Sequence, residues 1–416
     1  MGKKERRINP AKKPINTRLW VRIVCYIAIP FWCLVQRART KVDKEVRKIK
    51  GPKLILATHQ SFMDFPMLLM GVMPRMINWL VGIDEYHRGE FLMYSLGGIP
   101  KKKYTHDIVA VKYAIQSIRK KKKSVALYPE AGYEYAGINE RIDRTIGKLI
   151  KLAGVPVIMC KCNGNFLGSP QWAKHPYRNI KKECHMYVLA NAEEVKNLSA
   201  DELQERVDKA FVKDEYKWQV ENNLHIKSKH RAKGLHNILY KCPHCGTESQ
   251  MDSKGIHLWC NSCGAKWEMD TLSRLHGVNT DKGFSHVPDW YRWERIEVRK
   301  EVRSGNYTFT DQVKIDDFYS GKVGFVDVGV GKCVQDKNGW LIEGECNGTP
   351  FTIKKNLFEM ISIHLEYNFK GKGDLFEIPT NKTTYYVYPL NKKQCITKIR
   401  LAQEELYDYY VAEKNN

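Results

Sequence analysis

The chain runs to 416 residues, 43% hydrophobic and 28% charged, which fits two or three packed domains and excludes a disordered or fibrous polymer. A formal net charge of +23, from 69 Lys and Arg against 46 Asp and Glu, points to an anionic partner: nucleic acid, an anionic membrane leaflet or an acidic carrier protein. The twelve cysteines include two Cys-x-x-Cys pairs, with the rest scattered, which is unlike a secreted disulfide scaffold and indicates a reducing, cytosolic setting.

Residues 1–18 carry Lys3, Lys4, Arg6, Arg7, Lys12, Lys13 and Arg18 against the single acid Glu5. An apolar run follows over 19–35, but its uninterrupted part starts at Ile23 and contains Pro30, which is short of the roughly 20 residues needed to cross a bilayer. Gln36-Arg37-Ala38-Arg39 follows at once, without the small-residue cleavage site of a signal peptide, and Arg6 stands where a myristoylation motif requires Ser or Thr. The segment is expected to lie in the membrane interface on the cytoplasmic face, peripheral or monotopic, with Trp20, Tyr26 and Trp32 at headgroup level and the flanking cations on anionic lipid. A helix docked against the domain is the plainer alternative.

From 53 to 220, short apolar runs alternate with helical periodicity. Residues 53–58 read as a buried strand ending at His59, 62–72 as an apolar helix and 77–81 as a second strand. Asp107 caps a helix carrying Ile108, Val111, Ile115 and Ile118; 124–128 form a strand stopped by Pro129; 142–153 form a helix closed by Gly154. Strands follow over 155–162 and 185–190, and Ser199-Ala200-Asp201-Glu202 is a capping box opening a long helix. This alternation predicts an α/β domain with a mainly parallel sheet, whose ligands bind at the carboxyl ends of the strands. His59 and the Pro129-Glu130 turn both follow directly on a strand, so both are expected at that edge.

Four segments carry the candidate chemistry. In His59-Gln60-Ser61-Phe62-Met63-Asp64, an imidazole of suitable pKa can act as base for a hydroxyl, with a carboxylate to fix its tautomer. Gly97-Gly98-Ile99-Pro100-Lys101-Lys102-Lys103 is read as a loop allowing close backbone approach, with ammonium groups for a phosphate. Tyr128-Pro129-Glu130-Ala131-Gly132 and Gly154-Val155-Pro156-Val157-Ile158 complete the set, the last also explicable as a structural turn.

In this order and spacing the four resemble the motifs of the glycerolipid acyltransferase family that includes the 1-acylglycerol-3-phosphate acyltransferases, over about residues 20–215. The family's His-x4-Asp motif falls on His59 and Asp64, its Gly-rich basic block on 97–103 with Lys103 in place of the usual Arg, its Pro-Glu-Gly motif on Pro129, Glu130 and Ala131, and its late Pro motif on Pro156. The resemblance implies acyl transfer from a CoA or acyl-carrier-protein thioester to a lysophospholipid, commonly 1-acylglycerol-3-phosphate, giving phosphatidic acid. It implies His59 as base and Asp64 as its orienting partner, with Gly98, Lys101, Lys103, Pro129, Glu130 and Gly132 around the substrate, and backbone N–H groups on the oxyanion. After Glu130 the family continues Gly-Thr-Arg-Ser, whereas this chain has Ala131-Gly132-Tyr133-Glu134; the Arg that would grip an acceptor phosphate is replaced, with Lys101, Lys103 or Arg141 as substitutes, of which the lysines lack the bidentate fork of Arg. Arg119-Lys120-Lys121-Lys122-Lys123 is read first as a helix end complementing the dipole, then as a docking surface for anionic lipid or an acyl carrier protein.

Cys242-Pro243-His244-Cys245-Gly246 and Cys260-Asn261-Ser262-Cys263-Gly264 have the spacing of a zinc ribbon over 241–272. Cys242, Cys245, Cys260 and Cys263 imply a closed structural Zn2+ site, with disulfide pairing as the alternative, His244 and His257 spare, and Trp259 and Trp267 available for a partner or the small core. Residues 1–45 are read as basic tail and interface segment, 46–220 as the catalytic domain, 221–240 as a basic linker, and 285–416 as a β-rich domain with a closing helix, similar in pattern to pleckstrin-homology domains or to an unrelated β-sandwich. Two rivals remain at this point: a zinc-ribbon nucleic-acid-binding protein, which leaves the His59 constellation unexplained, and a catalytically inactive lipid-binding scaffold.

Overall fold

The computed structural model describes residues 16–105, 107–173, 178–319, 324–380, 383–391 and 395–415; the basic run 3–13 lies outside them. The first domain comprises α1 (Leu19–Val35), β1 (Ala38–Val42), α2 (Lys44–Lys48), β2 (Leu54–Ala57), α3 (Asp64–Val72), β3 (Asn78–Gly82), α4 (Glu90–Ser95), β4 (Gly98–Lys101), α5 (Ile108–Arg119), β5 (Val125–Leu127), α6 (Ile146–Ala153), β6 (Val157–Asn163), α7 (Asn165–Gly168), β7 (Lys182–Ala190), α8 (Ala192–Asn197), α9 (Ala200–Phe211) and α10 (Glu215–Glu221). Its seven-stranded sheet has the order β1-β7-β6-β2-β5-β3-β4. The strands from β6 to β4 run parallel; β7 joins β6 antiparallel and pairs with β1 in parallel.

The central strand β2 buries all four residues of Leu54-Ile55-Leu56-Ala57, as a strand covered on both faces must. Three helix caps fall where the sequence predicts, although α6 opens at Ile146 rather than at 142 and α3 at Asp64 rather than at 62. The Asp107 carboxylate accepts from Ala110 N at 3.0 Å, Gly154 closes α6 with φ +63°, and Ser199 and Glu202 form the reciprocal capping box of α9.

Two segments differ from expectation. Residues 38–42, read as part of the interface segment, form an edge strand in which Arg39 and Lys41 turn outward; an edge paired on one side leaves room for such charges. Residues 98–101, read as loop, form edge strand β4, where a Cβ on Gly98 would come within 2.8 Å of Met93 O and of Tyr86 Oη.

The second unit is a four-stranded antiparallel sheet, β8 (Met251–Lys254), β9 (His257–Cys260), β10 (Lys266–Met269) and β11 (Leu275–Gly277), which carries the four ribbon cysteines. Helix α11 (Val287–Arg303) leads into the third: β12 (Phe309–Tyr319), β13 (Gly324–Asp336), β14 (Gly339–Cys346), β15 (Thr349–Lys355), β16 (Leu365–Glu366), β17 (Leu375–Pro379) and β18 (Thr384–Pro389), ordered β15-β14-β13-β12-β18-β17-β16 in one antiparallel sheet, with α12 (Ile396–Asn415) closing the chain. The stretch 221–240 is more than a basic linker. It buries Ile226, Ala232, Leu235, Ile238, Leu239 and Tyr240 in a core shared with the ribbon, the C-terminal sheet and Tyr135, Phe166 and Trp172 of the first domain. Ala232, Leu235 and Leu239 keep helical spacing, but over so short a stretch that the surrounding cations dominate the sequence pattern.

Candidate active site and cysteine cluster

β2 ends at Ala57, and the chain turns at His59 before α3 opens on Asp64. That turn is held by Asp64, fully buried: its Oδ2 accepts from Gln60 N at 2.5 Å and Ser61 N at 2.8 Å and lies 3.4 Å from His59 Nδ1. Its Oδ1 accepts from Asn165 Nδ2 at 2.7 Å. The five-residue spacing thus closes on itself, as the sequence predicts, and leaves Nε2 as the ring nitrogen on the side away from Asp64. Tyr128 stacks on the His59 ring at 4.0 Å between centroids, and Tyr133 covers it at 4.3 Å. Burial pulls the imidazole below its usual range and Lys103 adds to this, while Asp64 opposes both and Glu85 assists it.

His59 opens onto a cavity of about 670 Å³, walled mainly by apolar side chains including Phe65, Trp79, Leu127 and Leu149. Gly98, Lys101, Lys103, Pro129 and Gly132 line it as well. Phe62, Leu92, Ile108 and Leu152 line the cavity and are also 41–80% exposed, so its apolar wall continues onto the surface. There it adjoins α1, which buries only Val21, Cys25 and Cys33 and exposes Leu19, Trp20, Ile23, Val24, Ile27, Phe31, Trp32, Leu34 and Val35. Trp32 Nε1 reaches Met63 Sδ at 2.9 Å, and Trp20 stacks on Phe91. Among the described residues no helix is long and apolar enough to cross a membrane.

Glu130 is fully buried and turned away from the cavity. Its Oε2 accepts from His59 N at 2.9 Å and its Oε1 from Glu140 N at 2.8 Å, so it ties the histidine turn to the loop that follows it rather than holding a substrate. Burial pushes its pKa up to about 7 against the nearby Lys213 cation and the two N–H donors. Ala131 takes φ +58°, at the position where the family motif has glycine. Lys101 Nζ donates to Lys102 O and Thr105 O, at 3.1 and 3.3 Å. Arg141 donates to Glu404 O at 2.9 Å and pairs with Asp408, both on α12, so it does not face the cavity as a substitute phosphate ligand. Pro156 lies at the amino end of β6, the opposite edge of the sheet from His59, and its carbonyl accepts from Leu54 N at 3.0 Å.

Several contributing residues stand outside the sequence motifs or carry no role in them. Asn165 and Gln60 brace the turn, the latter donating to Glu215 Oε1 at 2.5 Å. Asn165 follows β6 at the same sheet edge as His59, which was a usable signal. Arg400, on α12 and 1% exposed, pairs with Glu140 Oε2 at 2.7 Å, stacks over Tyr135 at 4.4 Å and so reaches His59 through Glu140 and Glu130. His364 and Ile361 bring the C-terminal domain to the cavity wall. No local pattern announces these long-range partners.

The sulfurs of Cys242, Cys245, Cys260 and Cys263 all lie within 4.8 Å of one another, placed to hold a metal ion. Gly246 and Gly264 share φ +75°, and their N–H groups donate to Cys242 O and Cys260 O at 2.8 and 2.9 Å. His244 is hydrogen-bonded to Thr280 and His257 faces Glu268, outside the cluster. Trp267 is buried against Trp290, so it serves the core.

No family model matches the chain, and no curated protein matches it. Among solved structures, the 1-acyl-sn-glycerophosphate acyltransferase PlsC of Thermotoga maritima is similar at 18% identity and a TM-score of 0.37, over 49% of this chain and 78% of that one. The Ran-binding domain of a nuclear complex component of Ashbya gossypii is similar at 18% identity and a TM-score of 0.19, over 24% of this chain and 94% of that domain.

Proposed function

We propose that the protein is a membrane-surface acyltransferase moving a fatty-acyl group from a CoA or acyl-carrier-protein thioester to a hydroxyl of a lysophospholipid. The observation that carries this reading is the His59–Asp64 pair at the carboxyl edge of a parallel sheet, opening onto a large apolar cavity whose wall runs out to an exposed apolar helix. His59 Nε2 takes the acceptor's hydroxyl proton as the oxygen attacks the thioester carbonyl. Asp64 holds Nδ1 and steadies the imidazolium; when the intermediate collapses, the proton passes from His59 to the departing thiolate. No covalent acyl-enzyme is required. Lys103 supplies positive field near the oxyanion together with backbone N–H groups. The lowered pKa of His59 keeps it neutral, the form a base needs, around pH 7.

The cavity suits the acyl chain, and the face of α1 suits a lipid surface, with Arg18, Arg22, Arg37 and Arg39 at its ends facing anionic headgroups. 1-Acylglycerol-3-phosphate is the acceptor implied by the family resemblance. The cysteine cluster is assigned to structural zinc: a tetrahedral ion about 2.3 Å from each sulfur sets sulfur–sulfur edges of about 3.8 Å, and the Cys242–Cys263 and Cys245–Cys260 pairs both stand at 3.8 Å. Four thiolates leave no open position, so the ion would brace the fold and take no part in transfer.

The test is an assay with labelled acyl-CoA and acyl-carrier protein against a panel of lyso-lipids on anionic vesicles, with product identification. The expected result is a diacyl product whose formation depends on His59. Absence of acyl transfer from either donor to every acceptor would refute the reading, and steeply salt-dependent nucleic-acid binding in its place would favour the ribbon-based alternative.

A further inference from the structure

The cavity has a second polar feature, built jointly by the first and third domains. His364 belongs to the C-terminal domain, just ahead of β16, yet its side chain lines the same cavity as His59 and is only 2% exposed. Its Nε2 lies 3.2 Å from Glu366 Oε1, the contact that the neutral Nε2–H tautomer makes as donor, with the lone pair then on Nδ1. Tyr135 Oη stands 3.4 Å from that lone pair, but Leu365 O is closer to it, at 3.0 Å, and claims the tyrosine proton; the same oxygen accepts from Leu365 N at 2.9 Å.

Tyr104 also lines the cavity. It is 6% exposed, and its Oη has no hydrogen-bond partner among the described residues. A buried hydroxyl without a partner is uncommon and calls for an explanation. Gly132 lies between the two groups: a Cβ there would come within 2.6 Å of Tyr104 Oη and 3.2 Å of His364 Nδ1. Glycine at 132 therefore lets both groups approach the backbone closely on one side of the cavity, the Tyr104 hydroxyl without a partner among the described residues and His364 Nδ1 met there only by the Tyr135 oxygen at 3.4 Å.

One donor beside one acceptor is the complement of a hydroxyl group, which accepts from the first and donates to the second. A phosphate monoester only accepts and calls for several donors or cations. At this site Lys101 is held by Lys102 O and Thr105 O, and Arg141 by Glu404 and Asp408; of the other cations that line the cavity, Lys103 acts on His59 and is given to the oxyanion, and Lys148 is exposed on α6, so no several-fold phosphate clamp faces Tyr104 and His364. We propose that Tyr104 and His364 form a subsite for a hydroxyl on the acceptor's headgroup, so that the enzyme prefers a lysophospholipid with a polyol headgroup to one ending in a phosphate monoester. The substrate role of this subsite rests on the acyl-transfer reading; the binding preference does not.

The test uses the full-length protein and two short-chain ligands below their micelle-forming concentrations, lysophosphatidylglycerol and lysophosphatidic acid with the same acyl chain. Binding is read by calorimetry for the wild type, for Tyr104→Phe, which removes one oxygen and keeps the ring, and for His364→Phe. Thermal unfolding checks that each variant is folded. The wild type is expected to bind the glycerol headgroup about tenfold more tightly. Each variant is expected to lose roughly fivefold to tenfold for that ligand and less than about twofold for the other, the size of one hydrogen bond. Equal wild-type affinities, no binding of either ligand, or a Tyr104→Phe variant that weakens neither or both alike would overturn the proposal. Acyl transfer with acyl-CoA is scored separately. Selective binding without product would refute the acyl-transfer reading and leave the subsite standing, whereas product without selectivity would refute the subsite alone.

Discussion

The four cysteines reach their positions through two knuckles of matching backbone geometry, each local to a few residues, whereas His59 depends on side chains drawn from the length of the chain. Cys242 and Cys260 each have two backbone N–H groups directed at the sulfur from residues of their own knuckle, those of His244 and Cys245 in one and of Ser262 and Cys263 in the other. The His59 turn instead relies on Asp64 nearby, Glu130 and Tyr133 from the next strand's loop, Asn165 after β6, and Arg400 on the last helix. A site made of short-range ligands tolerates change elsewhere in the molecule. A site assembled over long range inherits the stability of every domain that supports it.

Metal removal should expose this difference most strongly. Structural zinc in isolated fingers contributes on the order of 10 kcal/mol or more to folding. Chelation, or Cys260→Ser, is expected to unfold the ribbon and to shift Trp267 fluorescence to the red as the ring leaves its contact with Trp290. Because the ribbon shares its core with the C-terminal domain, the midpoint of thermal unfolding should fall for both. A metal-free protein with an unshifted Trp267 and unchanged midpoint would contradict the assignment.

Arg400→Ala is the next largest expected effect. It leaves Glu140 and Glu404 buried with a partner removed, a change worth about 3–5 kcal/mol, and it loosens the link from α12 through Glu140 and Glu130 to His59 N. Denaturant midpoints should fall, and the His59 and Glu140 amides should exchange faster with solvent while those of the ribbon knuckles keep their protection. Uniform loss of protection would contradict the proposed route.

Asp64→Asn tests the short-range half of the catalytic pair. Asp64 raises the pKa of His59 against the effect of burial, so its removal should move the acid limb of the kcat/KM profile to still lower pH, with kcat reduced roughly a hundredfold. A limb moving to higher pH would contradict the pairing. The smallest expected effect is Gly246→Ala. The added methyl meets open space, and only the left-handed φ of +75° opposes it, at about 1 kcal/mol, read as a slight drop in unfolding midpoint with metal retained.

The same contrast explains how much of the molecule was legible in its sequence. The parallel sheet, the capped helices and the cysteine knuckles were readable because each rests on a local pattern: the apolar run of β2, the Asp107 and Ser199 caps, the paired Cys-x-x-Cys spacing. Edge strand β1 escaped because alternating cations on an exposed edge resemble a basic tail. In the sequence Glu130 reads as a substrate ligand because a motif gives the position of a carboxylate but not its direction, and here that direction is set by two backbone amides. His364, Tyr104 and Arg400 carry no mark in their neighbours, because tertiary packing alone brings the C-terminal domain against the cavity.

The most direct test of the central claim compares wild-type protein with His59→Ala on anionic vesicles, with the preferred thioester and lyso-lipid at saturation and circular dichroism verifying the fold. Loss of the general base predicts a fall in kcat of about a thousandfold, with binding of both substrates changed little. A folded His59→Ala variant that still transfers acyl groups at near wild-type rate would contradict the account.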